Sequence, residues 1–261
     1  MSRFDFEQDM ALKILIYGKP GTGKTWFACS AVDDERLAPV LVLEAFGNLM
    51  SIRRWDVKPD IVTINDIKDF NAPYDWLASG QDPNHPFCVE NDLHPPYKTL
   101  IVDGLTEVQR FITRKLTGGA VDNPGDLVGK LERQGFGQLL GTMLNWAHHF
   151  ITLPMNVIMT SLEAERQDGT NGPIRRYPLI WGQSGLEICG YAYLVTRVTS
   201  RLAMDKTLLT SPVDPINSDT VTVAMFAETP TYYAKDQYAL GVIHMTNPTL
   251  GKVLDLIERS E

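Results

Sequence analysis

The chain has 261 residues and 44% apolar content, enough to bury the core of one large α/β domain or two small ones. A formal net charge of -8 excludes nucleic-acid binding over the whole surface, so any such contact must rest on particular arginines and lysines. Cys29, Cys88 and Cys189 are far apart and odd in number, no run approaches the roughly 18 apolar residues of a membrane span, and MSRFDFEQDM lacks the order of a signal peptide. The expectation is a soluble cytoplasmic protein with no disulfide framework and no membrane partner.

Leu12 to Tyr17 is an apolar, β-branched run that reads as a buried strand. Gly18-Lys19-Pro20-Gly21-Thr22-Gly23-Lys24-Thr25 follows at once and matches the eight-residue phosphate loop, with Trp26 to Ala31 continuing as a helix. The glycines permit a tight turn whose backbone N–H groups point at phosphate oxygens, and the helix N-terminus adds partial positive charge. Lys24 is expected to reach the β and γ phosphates, and the Thr25 hydroxyl to ligate Mg²⁺. Gly18 to Trp26 are therefore the expected cradle of a nucleotide, ATP with magnesium.

Pro39 to Leu43 predicts a second strand ending in Glu44-Ala45-Phe46-Gly47, and the polar residue at a strand's C-terminal end sits where open parallel sheets bind ligands. A short helix over Ser51 to Asp56, a strand over Asp60 to Asn65 and a weak helix over Ile67 to Leu77 follow. Gly80 to Lys98 is dense in proline and polar residues and reads as a loop. His85, Cys88 and His94 lie within it, but no fourth ligand has metal-site spacing.

Thr99 to Val102 is an apolar strand closing in Asp103, the pattern in which a carboxylate holds a water of the Mg²⁺ shell. Thr106-Glu107 opens a helix to Lys115 and can cap it or face the nucleotide. Leu116 to Gly129 reads as a flexible glycine-rich segment and Lys130 to Phe150 as a long helix, finished by His148 and His149 with one facing water and one packed. Met155 to Thr160 is a strand whose end, Thr160-Ser161, either senses the γ-phosphate or simply caps the strand.

Glu163 to Gly185 combines Arg166, Arg175, Arg176, Tyr177 and Trp181 with glycines and prolines. That mixture suits phosphate contacts and base stacking on single-stranded nucleic acid, and it equally suits a β-hairpin or lid over the nucleotide. Glu187 to Val198, Thr220 to Phe226 and Thr231 to Lys235 read as strands, the last two antiparallel, with Met204 to Ser218 as a hairpin connection and Pro248 to Glu258 as a terminal helix. The sum is an α/β fold: a mainly parallel nucleoside-triphosphatase sheet between helices, extended from about residue 187 by antiparallel strands, in a single domain spanning 1–261.

Five stretches together resemble the phage nucleotide-binding proteins of the RecA-like P-loop ATPase class, which include phage single-strand annealing proteins built on a shortened recombinase core. They are KILIYGKPGTGKT from Lys13, LVLEAFGNL from Leu41, TLIVDGLTEVQR from Thr99, LPMNVIMTSLE from Leu153 and YYAKDQ from Tyr232. The resemblance implies that the loop after Ser161 faces single-stranded DNA, with Leu116 to Gly129 as its companion. It implies a homo-oligomer in which Lys235 reaches a neighbour's nucleotide, and a single-strand-binding protein as a further partner. In a phage-encoded member the compartment would be the host cytoplasm.

The chain departs from that family twice. Gln237 stands where a Lys-Asp-Arg unit would end, and Phe46 stands where an Asp-Thr-Glu-Gly pattern would place the glutamate that positions the attacking water. Glu44 is then the expected base, with Glu107 as helper. A nucleotide or nucleoside kinase, a duplex-DNA packaging or helicase-like motor, and an ATP-binding module with little turnover are the alternatives.

Overall fold

β1 (Lys13–Gly18) is buried at every position because it is covered on both faces and paired on both edges. Ile14 and Ile16 pack on one face with Phe27 and Ala28, while Leu15 and Tyr17 join the opposite core with Val102, Leu105 and Val108. The computed structural model describes residues 11–45, 52, 53, 55–117, 133–167, 172–181, 184–202 and 220–260.

After β1 come α1 (Lys24–Cys29), β2 (Val40–Glu44), β3 (Asp60–Thr63), α2 (Asn71–Ala78), α3 (Pro86–Glu90), β4 (Thr99–Asp103) and α4 (Leu105–Leu116). Then follow α5 (Arg133–Ile151), β5 (Asn156–Gln167), β6 (Ile174–Pro178), α6 (Ser184–Tyr191), β7 (Leu194–Leu202), β8 (Thr220–Met225), β9 (Lys235–Asp236), β10 (His244–Thr246) and α7 (Leu250–Ser260). The sheet order is β10-β8-β7-β1-β5-β4-β2-β3, with β6 paired to β5 and β9 to β7. From β7 to β3 every pairing is parallel, whereas β8 and β10 add antiparallel strands at one edge.

Amphipathic spacing places the helices. Leu105, Val108 and Ile112 of α4 recur at helical intervals and are fully buried, as are Leu250 and Val253 of α7, with Ile257 a turn further on. Arg36 ties α7 down from outside, donating to Asp34, Asp255 and Glu258.

Several expectations are corrected. The proline-rich stretch 80–98 holds a short helix, α3, which starts because His85 Nδ1 accepts from the Phe87 N–H at 3.2 Å and Pro86 occupies the first turn. Residues 184–191 form α6 rather than the start of a strand, since Ile188 and Cys189 pack into the core beside α5. The strand starts at Leu194 and runs parallel to β1, so the antiparallel extension begins only with β8. Of the strand expected over Thr231 to Lys235, only β9 forms a ladder, and β10 is an unforeseen strand. His148 and His149 are both exposed, against Tyr191 and Tyr74 respectively. Phe46, Gly47, the body of the Leu116–Gly129 segment and Met204 to Ser218 lie outside the described residues.

The stretch after Ser161 forms a β-hairpin. β5 continues past the sheet to Gln167 and pairs antiparallel with β6, Glu165 opposite Arg176 and Arg166 opposite Arg175.

Candidate nucleotide-binding site

Because the central strands are parallel, their C-terminal ends meet along one edge of the sheet. Gly18 ends β1, Glu44 ends β2, Asp103 ends β4, and Thr160-Ser161 sits in β5 between them. The connection from β1 to α1 needs glycine: Gly21 has φ 75° and Gly23 φ 90°. The loop also lies close against its neighbours, since a Cβ on Gly18 would stand 2.3 Å from the Val198 carbonyl oxygen.

Thr25 Oγ1, in the first turn of α1, donates to Asp103 Oδ2 at 2.7 Å. Thr160 Oγ1 donates to Asp103 Oδ1, so both oxygens of the carboxylate are engaged from different elements. Lys24 Nζ donates to the Lys19 carbonyl at 2.9 Å. Burial pulls the Lys24 pKa below the ordinary lysine value, and the Asp103 and Glu163 carboxylates push it back up.

A cavity of about 260 Å³ opens between loop and strand ends. Pro20, Gly21, Gly23, Lys24, Thr25 and Trp26 line one side, and Asp103, Gly104, Thr106, Glu107, Thr160, Ser161 and Leu162 the other. Gly18, Lys19 and Thr22 shape the loop from outside the lining. Thr22 Oγ1 donates to the Lys19 carbonyl at 2.8 Å, and the Lys19 ammonium lies 3.6 Å from Glu165.

The two candidate bases are placed differently. Glu44 is buried beside Asp103, its register partner on the next strand, and is not part of the cavity lining. Glu107 does line the cavity, and its carboxylate pairs with Arg110 one turn on. Burial raises the Glu107 pKa, and the Arg110 guanidinium opposes that rise. Thr106 serves the framework instead of the helix cap: its hydroxyl accepts from the Leu162 N–H at 3.1 Å and donates to the Leu179 carbonyl at 3.2 Å.

Lys235 is not brought to this cavity. Its ammonium donates to the carbonyls of Gly190 at 2.8 Å and Ala192 at 2.7 Å, capping the C-terminal end of α6, and burial lowers its pKa. The hairpin cations are paired within the chain. Arg166 donates to the Ile180 carbonyl at 2.7 Å, Arg175 to Glu228, and Arg176 to Glu165 at 3.2 Å. The Tyr177 ring stacks on Tyr233 with Arg175 over its face, and the backbone N–H of Trp181 donates to Gln109 Oε1 at 2.7 Å. Glu163 was not foreseen as a structural centre: it is buried, held by Arg197 and approached by Arg176.

The sequence matches the AAA domain family over residues 10–238. Among matching solved structures is a KaiC-like protein from the hyperthermophilic archaeon Pyrococcus horikoshii, at 15% identity and a TM-score of 0.38, the match covering 81% of this chain and 76% of that one. No curated protein matches the sequence. No helix among the described residues is long and apolar enough to cross a membrane. With a glycine-rich phosphate loop joined through Thr25 to the aspartate at the end of β4, and a match running over most of its length, the chain belongs to the AAA domain family of P-loop nucleoside triphosphatases.

Proposed function

We propose that the chain is an ATPase that holds Mg·ATP between the phosphate loop and Asp103, and that its cycle acts on single-stranded DNA. The observation that carries the nucleotide part is the Thr25–Asp103 hydrogen bond at the cavity wall. A hydroxyl and a carboxylate are hard oxygen donors of the kind Mg²⁺ takes while keeping waters and phosphate oxygens in its other positions. Thr25 and Asp103 would hold the ion, and it would supply positive charge against the charge that develops on the phosphates during transfer.

The chain's own groups divide the remaining work. The loop N–H groups and Lys24, released from the Lys19 carbonyl, hold the phosphates. Thr160 fixes the Asp103 carboxylate and lines the cavity, where its hydroxyl would sense the γ-phosphate. Glu107 faces the cavity and is the better placed carboxylate to take a proton from attacking water, with Glu44 ordering Asp103 from behind. Glu107 must first leave Arg110, so turnover is expected to be slow. Lys235 enters this proposal as a helix cap instead of a cation acting across an oligomer interface.

The DNA part rests on the resemblance and on connectivity, since the arginine hairpin grows directly out of Thr160-Ser161 along β5. Strand binding would exchange the arginines' carboxylate partners for phosphates, so it should be strongly salt-dependent.

Turnover of ATP measured without nucleic acid, with single strands and with duplex tests both parts. Stimulation by single strands alone is expected, with Lys24→Ala and Asp103→Asn inactive and a shallower salt slope for Arg175→Ala with Arg176→Ala. Full affinity and turnover in Lys24→Ala would sink the ATPase reading. An unchanged salt slope in the double arginine variant would sink the DNA reading.

A further inference from the structure

Trp26 is the one aromatic ring among the described residues that line the cavity. It follows Lys24 and Thr25 in the first turn of α1 and lines the same cavity as they do. Trp55 meets it edge-on, ring centroids 6.0 Å apart and planes at 83°, and both rings are only partly buried. The Trp26 Nε1 is itself buried and has no hydrogen-bond partner among the described residues.

That combination is foreign to phosphate recognition, which needs backbone N–H groups, a cation and a hydroxyl. A base stacks on an indole face, and the larger ring system of a purine stacks more strongly than a pyrimidine. The neighbouring Trp55 restricts the indole, so little freedom is lost when a base settles on it.

We propose that Trp26 is the base-contacting, specificity-determining residue of this site, and that the ligand is a purine nucleoside triphosphate recognised through its base as well as its phosphates. This rests on the nucleotide-site reading given above. The inference separates from that reading because it concerns only the part of the ligand that inorganic tripolyphosphate lacks.

Calorimetric binding of ATP and of inorganic tripolyphosphate, each with magnesium, tests it in wild type, Trp26→Ala and Trp26→Phe. Wild type should bind ATP roughly tenfold or more tightly than tripolyphosphate, the range that one stacked base supplies. In Trp26→Ala that ratio should fall toward one while tripolyphosphate affinity stays put, and Trp26→Phe, which keeps a ring without the donor, should lie between. An unchanged ratio in Trp26→Ala overturns the proposal, as does an equal loss for both ligands in the ring-retaining Trp26→Phe. If wild type binds neither ligand, the nucleotide-site reading itself falls and takes this inference with it.

Discussion

Arg197 Nε donates to Glu163 Oε2 at 2.6 Å and its Nη2 to Oε1 at 3.3 Å, a two-point ion pair on β7 and β5 beside the start of the phosphate loop. The Glu163 side chain is 1% exposed and that of Arg197 14%, so water screens neither charge well. Removing Arg197 leaves the Glu163 carboxylate buried with the Arg176 guanidinium, at 3.5 Å, as its cation. Arg197→Met should therefore lower unfolding stability by about 3–5 kcal/mol in urea titrations. The double variant with Glu163→Gln should recover much of that loss, and a single-variant cost near zero would show that Arg176 alone satisfies the carboxylate.

Lys13, at the start of β1, is 8% exposed and donates to the carbonyls of Leu153 at 2.6 Å and Met155 at 2.7 Å. Burial pulls its pKa from 10.5 down to about 8. Between those two pH values the unfolded chain keeps a proton that the folded chain has released. Stability contributed by this residue therefore rises with pH across the window, and below about pH 8 the full cost of burying the charge is present. The span corresponds to roughly 3 kcal/mol at most. Unfolding free energies of wild type and Lys13→Met, compared from pH 7 to 10.5, should diverge in slope with wild type gaining. Parallel curves would mean that the two carbonyls keep the ammonium protonated throughout.

Two loop glycines should fail for different reasons. An alanine at Gly18 puts its Cβ 2.3 Å from the Val198 carbonyl oxygen, a backbone atom held in the β7 ladder that cannot move aside. At Gly21 no atom lies within 4 Å of such a Cβ, and the cost is confined to the φ of 75°, about 1–2 kcal/mol. Gly18→Ala should lower the melting temperature and nucleotide affinity more than Gly21→Ala does. The reverse order would show that loop conformation, and not its seat on β7, limits the site.

Much of the nucleotide site is local in the chain and could be read there. The apolar runs before Gly18 and Asp103 are strands buried on both faces, which appear in sequence as uninterrupted hydrophobic stretches, and the glycine spacing of the loop follows from positive φ at Gly21 and Gly23. The stretch 187–198 could not be divided so. Its aromatic and β-branched residues suit a strand, and α6 forms because Ile188 and Cys189 find a core beside α5, a contact no window of sequence contains.

The arginine hairpin shows the same division at the level of charge. Composition alone presents Arg166, Arg175 and Arg176 as a basic patch, yet the fold gives Arg175 a partner in Glu228, 53 residues away, and Arg176 one in Glu165 across the hairpin. Sheet order likewise decides that β5 lies between β1 and β4, which is what sets Thr160 on Asp103 and opens the cavity beside both. The sequence by itself determined the glycine loop and the strand ends that line the cavity, because backbone conformation and strand burial are written in neighbouring residues. Only the tertiary structure decided which carboxylate faces the cavity and which cations are already neutralised, because those depend on partners brought together from distant parts of the chain.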